Sequence, residues 1–284
     1  MALDRRAELG EFLRSRRARL RPEELGLPDY GGRRRVPGLR REELARLAGV
    51  SVDHYVRLEQ GRTLHFSEAV LDAVARALRL DPVERGHLYR LARPWSGEET
   101  AAEPQHVRAG LRQLLASAGD VPAYVVGRNL DLLAWNRLAA ALITDFGALP
   151  PAERNLARLI FLDEGVRAMY ANWEGKARDV AAYLRLDAAR RPGDPETAAL
   201  VAELSAVSPG FREVWSAHHV KEKTHGRCVY RHPVVGILDL GFETLRFPDD
   251  PDQALVVHTV EEGTPAQSAL RLLAQLADEG VSAR

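Results

Sequence analysis

Residues able to do chemistry are unevenly spread along this 284-residue chain. Five of its nine histidines lie between positions 218 and 258: His218, His219, His225, His232 and His258. A zinc site wants Cys or His at short fixed spacing, usually with a second such pair. Here His218 and His219 are adjacent, and neighbours on a helix point about 100° apart. The one cysteine, Cys228, has no resolving thiol, which argues against a redox switch. Asp239 and Glu243 do not by themselves make an acid–base pair. No Gly-x-Ser-x-Gly, P-loop, dinucleotide fingerprint or HExxH is present. Neither a metal site nor a catalytic site is expected.

Binding is the remaining chemistry. Tyr124, Trp135, Asn136, Phe161, Tyr170, Trp173, Trp215 and Phe247 are aromatic or polar groups within otherwise apolar stretches. Pockets for small molecules are mostly apolar with a few placed polar groups, so each of these is either core or a ligand contact. Arg227, His232 and His219 could meet a carboxylate, which charged donors bind strongly. They could equally be exposed, or pair with Asp239 and Glu243.

The net charge of zero hides a division. Residues 1–95 carry 20 arginines, no lysine and 14 acids, a net of +6; the remainder is −6. A basic module joined to an acidic one suits an anionic polymer partner for the first and not the second. Lysine occurs only at 176, 221 and 223, against 37 arginines. With 45% apolar and 28% charged residues the composition is that of a globular protein, and its length allows two domains. No run of 18 apolar residues exists, so no membrane span is expected. The charged start, Met1 to Arg6, lacks the apolar core of a signal peptide. With a single cysteine, a reduced, cytoplasmic setting is expected.

The elements that must position these groups are legible in the periodicity. A helix over 9–20 is followed by a stretch, 21–39, too rich in Pro and Gly for another; it carries Arg33, Arg34 and Arg35. Next come a helix over 40–48 ended by Gly49, a helix capped by Ser51 and closed by Gly61, and helices capped by Ser67 and Asp81. This makes a five-helix, all-α domain over 1–92. Residues 93–104 read as a linker. Over 105–284 the chain predicts an α+β domain. Its helices are expected at 106–118, 137–146, 152–162, 165–170, 172–190, 196–207, 209–219 and 264–278. Strands at 122–127, 130–136 and in three segments after 226 would form a small antiparallel sheet.

The segment LRREELARLAGVSVDHYVRLEQGR, residues 39–62, resembles the phage-repressor-like helix-turn-helix family, also called the xenobiotic-response-element family. Gly49, Ser51, Val56, Glu59 and Gly61 carry the likeness. In that family the second helix of the motif lies in the major groove. The resemblance implies that Val52, Asp53 and His54, next to the cap Ser51, face the groove together with Arg57. Arg57 would take guanine bidentately; Asp53 would accept from cytosine or merely cap the helix. Arg41, Gln60 and Arg62 fall at phosphate-contacting positions. Arg17 and Glu59 fall at the family's internal salt bridge. The loop of about twenty residues between the first two helices is longer than the family's usual few.

From 105 to 278, LLAWNRLAAAL, ERNLARLIFLD, ANWEGKARDVAAYLR, FREVWSAHHVKEKTHGRCVYRHPVVGILDL and FETLRFPDDPDQALVVHT resemble the ligand-binding domain of MmyB-like regulators, a PAS-like fold common in actinobacteria. The resemblance implies an apolar pocket and a fatty-acid-like ligand. Together the two likenesses imply a transcription regulator that binds a double-stranded DNA operator as a homodimer and responds to a small molecule. A DNA-binding protein without a ligand switch, or a protein-interaction module, is the competing expectation.

Overall fold

The computed structural model describes residues 4–26, 38–62, 66–93, 104–222 and 224–279. Arg33 to Arg35 and most of the 93–104 stretch lie outside the described residues. Two compact units emerge: Met1–Thr100 with Arg185–Ala199 and Ser216–Glu222, and Ala101–Leu184 with Leu200–Trp215 and Lys223–Arg284.

The first unit holds α1 (Arg5–Arg19), α2 (Arg41–Ala48), α3 (Val52–Glu59), α4 (Glu68–Ala77) and α5 (Pro82–Ala92). Between α1 and α2 the Pro-rich stretch begins with one 3-10 turn, Pro22–Leu25, where only loop is expected from sequence. Each boundary has a local cause. Gly49 takes φ 67°, and the N–H groups of Gly49 and Val50 return to the carbonyls of Arg46 and Ala45, closing α2. Ser51 Oγ then accepts from His54 N at 3.2 Å and opens α3. Asp81 and Glu84 cap α5 reciprocally.

Leu9, Phe12 and Leu13 of α1, Leu44 and Ala45 of α2, Tyr55 and Leu58 of α3, and Leu71, Val74 and Leu88 behind them form one buried core. That core also contains Leu186, Ala189 and Val220. These late residues belong to stretches that the sequence assigns to the second domain. Arg185 pairs with Glu8 of α1, and His218 Nδ1 lies 3.2 Å from the same carboxylate. The first unit thus includes segments from far along the chain.

Glu59, at the end of α3, is fully buried. Arg17 donates to it from Nε (3.0 Å) and Nη2 (3.1 Å), and Arg41 from Nε (2.8 Å). Arg17 also donates to the Leu39 carbonyl. One carboxylate thus ties α1 to α3 and to the start of α2. Gly10 permits the close crossing: a Cβ there would stand 2.5 Å from the Glu59 carbonyl oxygen.

The second unit is built on a five-stranded antiparallel sheet of order β2-β1-β5-β4-β3. Its strands are β1 (Ala123–Val126), β2 (Leu132–Trp135), β3 (His225–His232), β4 (Gly236–Phe247) and β5 (Asp250–Thr259). Its helices are α6 (Ala109–Ser117), α7 (Arg137–Leu142), α8 (Leu156–Leu162), α9 (Glu164–Met169) and α13 (Pro265–Asp278). It also takes the first part of α10 (Trp173–Arg190), most of α11 (Pro195–Val207) and nearly all of α12 (Pro209–Ser216).

β1 is covered on both faces. Tyr124 and Val126 enter the larger core with Leu138, Ile160 and Leu184. Ala123 and Val125 enter a smaller one with Leu111 and Leu115 of α6. The two-residue period of a strand makes that division. Helices α6, α7 and α12 are shorter than the sequence predicts: Asn136 caps α7, which ends at Leu142, and α12 stops at Ser216 ahead of His218, whose φ is 50°.

Glu59→Ala removes the shared acceptor and leaves Arg17 buried without its partner. Truncating one side of a buried pair costs about 3–5 kcal/mol. Urea titration of the full chain, followed by helix signal, should show a loss of that size; a loss below about 1 kcal/mol, the value of an exposed pair, would refute the role given to Glu59.

Candidate functional site

Two places have the geometry of a site. The first is the outer side of α3. Tyr55 and Leu58 point into the core, and so Val52, Asp53, His54 and Arg57 are exposed, as are Ser51, Gln60 and Arg62 beyond the ends of the helix. Arg57 Nη2 lies 2.9 Å from Asp53 Oδ2, one turn away. The His54 ring rests edge-on against Phe66, centroids 5.2 Å apart. Ser51 spends its hydroxyl on the cap. Arg41 is half-exposed with its Nε held by Glu59. The exposed surface carries side chains of both charge signs.

The second place is a cavity of about 410 Å³ in the second unit, between the sheet and α10. Its apolar wall comes from Val126, Leu130, Leu156, Val180, Phe242 and Val256. Its polar groups include Tyr124, Tyr170, Tyr183, Tyr230 and His258, and its charged ones Lys176, Asp179 and Arg227. Tyr230 Oη lies 2.8 Å from His258 Nε2. Burial, helped by the charge of Lys176, holds His258 down at about 4, so its ring is neutral at neutral pH. A neutral ring carries one N–H, so Nε2 takes either role toward the Tyr230 hydroxyl, which can both donate and accept. Burial also pushes Tyr124, Tyr170 and Tyr230 above the usual phenol range. The Tyr170 hydroxyl is buried with no hydrogen-bond partner among the described residues, and the Lys176 ammonium stands 5.4 Å from the Tyr170 ring centroid.

Of the eleven residues that the sequence offers as ligand contacts, Tyr124, Tyr170 and Arg227 line this cavity. Arg227 is exposed and paired with Asp239, Nη2 to Oδ2 at 2.9 Å. The other eight are elsewhere; Trp173 Nε1 donates to the Ile160 carbonyl, and the Phe247 ring lies under the Arg108 guanidinium. Trp135 packs edge-on against Phe146. Asn136 accepts from the N–H of Ala123 and Ala139 and donates to the carbonyls of Ala118 and Val121, which joins β1 to α7. Phe161 sits against Phe211, and Trp215 stacks on Phe211. His219 lies in the first unit beside Arg19, Nδ1 to Nη2 2.6 Å. His232 accepts at Nδ1 from the N–H of Val234 and Val235, and its Nε2 lies 3.0 Å from the Ala141 carbonyl; it shapes the β3–β4 turn.

Lys176, Tyr183, Tyr230 and His258 were missed. Strand alternation was a usable signal for two of them: Tyr230 shares a face of β3 with Cys228, and His258 shares a face of β5 with Val256. Lys176 is one of three lysines beside 37 arginines. The five clustered histidines scatter, and among the described residues no group of three or more His, Cys, Asp or Glu could hold a metal. No helix in the described residues is long and apolar enough to cross a membrane.

A short helical motif with an outward second helix, followed by a sheet domain with an internal cavity, defines a DNA-binding regulator with a ligand-binding domain. The comparisons agree. A helix-turn-helix domain profile matches residues 8–88. The profile of the MmyB-like transcription regulator ligand binding domain matches residues 107–273, more than half of the chain, and the chain belongs to that family. No curated protein matches it closely enough for comparison.

Buried neutral histidines set an acid limit on the fold: His258 at about 4 and His232, also lowered by burial, in the second unit, and His87, held by burial at about 3, in the first. An unfolded histidine titrates near 6.5. The unfolded chain therefore binds these protons first, and stability falls as pH drops from about 6.5 towards 4. Denaturant midpoints at pH 7.5 and 5.0 should differ in that direction, and His258→Gln should shrink the difference; a midpoint that does not move would show that these rings accept protons in the folded state.

Proposed function

We propose that this protein binds a near-palindromic duplex operator as a homodimer, with α3 in the major groove, and that a small apolar molecule in the 410 Å³ cavity alters that binding. The observation that carries the DNA reading is the orientation of α3, whose apolar side is spent on the core while Val52, Asp53, His54 and Arg57 face outward. Arg57 takes guanine through two N–H groups; Val52 offers an apolar contact to a thymine methyl. Gln60, Arg62 and the free edge of Arg41 meet phosphates, which fixes register without reading sequence. Two-fold operators follow from dimer symmetry, with half-sites about one DNA turn apart. The Arg17–Glu59 pair supports the phage-repressor-like assignment. The five-stranded antiparallel sheet supports a PAS-like one.

For the cavity, the reading is a ligand with an apolar body and one acceptor-rich end, of which a fatty acid is the simplest example. Its body would lie on Val126, Leu156, Val180 and Val256; its head would meet the Tyr170 hydroxyl and Lys176. The volume falls within the range of small-molecule pockets. A ligand shifts DNA affinity only if it binds two states unequally. The element suited to that coupling is α10: Lys176, Val180 and Tyr183 line the cavity, while Leu186 and Ala189, further along the same helix, belong to the core of the helix-turn-helix unit.

Duplexes selected from a random pool test the first half. Arg57→Ala should lose about 1–3 kcal/mol of preference at one base pair, whereas Arg62→Ala should weaken all duplexes alike. Uniform loss in both variants would undo the assignment of roles. Mass spectrometry of small molecules retained by the purified protein tests the second half. If an acid is retained, Lys176→Met should weaken it by about 2 kcal/mol, the value of a charge-assisted contact, and leave the matching alcohol unaffected; equal loss for both would place the head group elsewhere.

A further inference from the structure

Asp53 is an odd residue on a surface that meets DNA. It stands in the first turn of α3, well exposed, where a carboxylate would be repelled by phosphates. Capping does not explain it, because Ser51 already accepts from His54 N. It pairs with Arg57, Oδ2 to Nη2 at 2.9 Å. The acid precedes the base by four positions, the favourable order on a helix. In water such an exposed pair holds weakly. In a groove from which water is expelled, the same charges attract more strongly.

We infer that Asp53 is a positioning residue that holds the Arg57 guanidinium by one Nη2 hydrogen and so aims its remaining N–H fork at a guanine. The inference rests on α3 being the recognition helix. The chemistry fits: arginine has five N–H donors in a rigid fork, and Asp53 occupies one. A second Nη2 hydrogen and both on Nη1 remain, enough for bidentate contact with guanine O6 and N7. Without Asp53 the long arginine side chain has many rotamers and can bind a phosphate instead. Asp53 then has two effects. It raises discrimination at the base pair that Arg57 reads, and it lowers affinity for DNA in general.

The test is sequence selection from randomised duplexes by the full-length wild type, Asp53→Ala, Asp53→Asn, Arg57→Ala and the double variant Asp53→Ala/Arg57→Ala, with base frequencies counted at each position. The expected result is that Asp53→Ala flattens the same base-pair position that Arg57→Ala flattens, by roughly tenfold in preference. The double variant should flatten it no further, and Asp53→Ala should bind an unselected duplex more tightly than wild type. Asp53→Asn, which keeps a hydrogen bond acceptor without the charge, should fall between. Flattening at a different position would mean that Asp53 reads a base of its own, and overturns the inference. A lower melting temperature with base preferences unchanged would mean a helix-stabilising role only, and also overturns it. If wild type enriches no sequence at all, α3 is not a recognition helix and the inference falls with that reading; the three failures are distinguishable from one another.

Discussion

The geometry of the helix-turn-helix unit depends on one buried carboxylate. Glu59 closes α3 on its inner side and is satisfied by two guanidinium groups from other elements, Arg17 of α1 and Arg41 of α2. A buried charge is tolerable only when paired and hydrogen-bonded, so α3 cannot rotate about its own axis without leaving Glu59 or Arg17 unsatisfied. Core packing adds to this: Tyr55 and Leu58 turn inward with Glu59, and Gly10 lets α1 approach the α3 backbone. The outward direction of Val52, Asp53, His54 and Arg57 is a consequence of what the opposite face must bury.

The cavity follows from a comparable constraint in the second unit. A strand covered on both faces, β1, sends alternate residues into two separate cores, and Tyr124 and Val126 reach the cavity side. Tyrosine and histidine side chains then converge where hydrocarbon would otherwise close the core. Burial keeps His258 neutral and the phenols protonated, so these groups offer hydrogen bonds, while Lys176, Asp179 and Arg227 bring charge to the lining.

Most of the helix-turn-helix unit was legible because its boundaries are set locally: Gly49, Ser51 and Asp81 each act within one turn of chain. The strands were legible through two-residue alternation and the breakers between them. What sequence could not convey was partnership at a distance. α10 keeps helical periodicity from Trp173 to Arg190, and nothing in that pattern says that Leu184 and Leu186 enter different cores. The same limit explains the ligand set. Tyr124 and Tyr170 were picked as aromatics, but so were Phe161 and Trp215, whose rings are consumed by packing on Phe211. Asn136 qualifies as a polar group in an apolar stretch and His232 as a partner for a carboxylate; the backbone claims all of their hydrogen-bonding capacity that the structure displays. Composition identifies a residue that needs a partner and does not say whether the partner is the chain itself.

The central claim is that the exposed side of α3 lies against base edges. Photocrosslinking from position 54 tests it most directly, with a photoreactive side chain replacing His54 in the full chain and a duplex enriched from a random pool as the target. The expected product is a covalent adduct on a base within the major groove of the enriched site. An adduct confined to protein, or a DNA adduct that appears equally on unselected duplex, would contradict it.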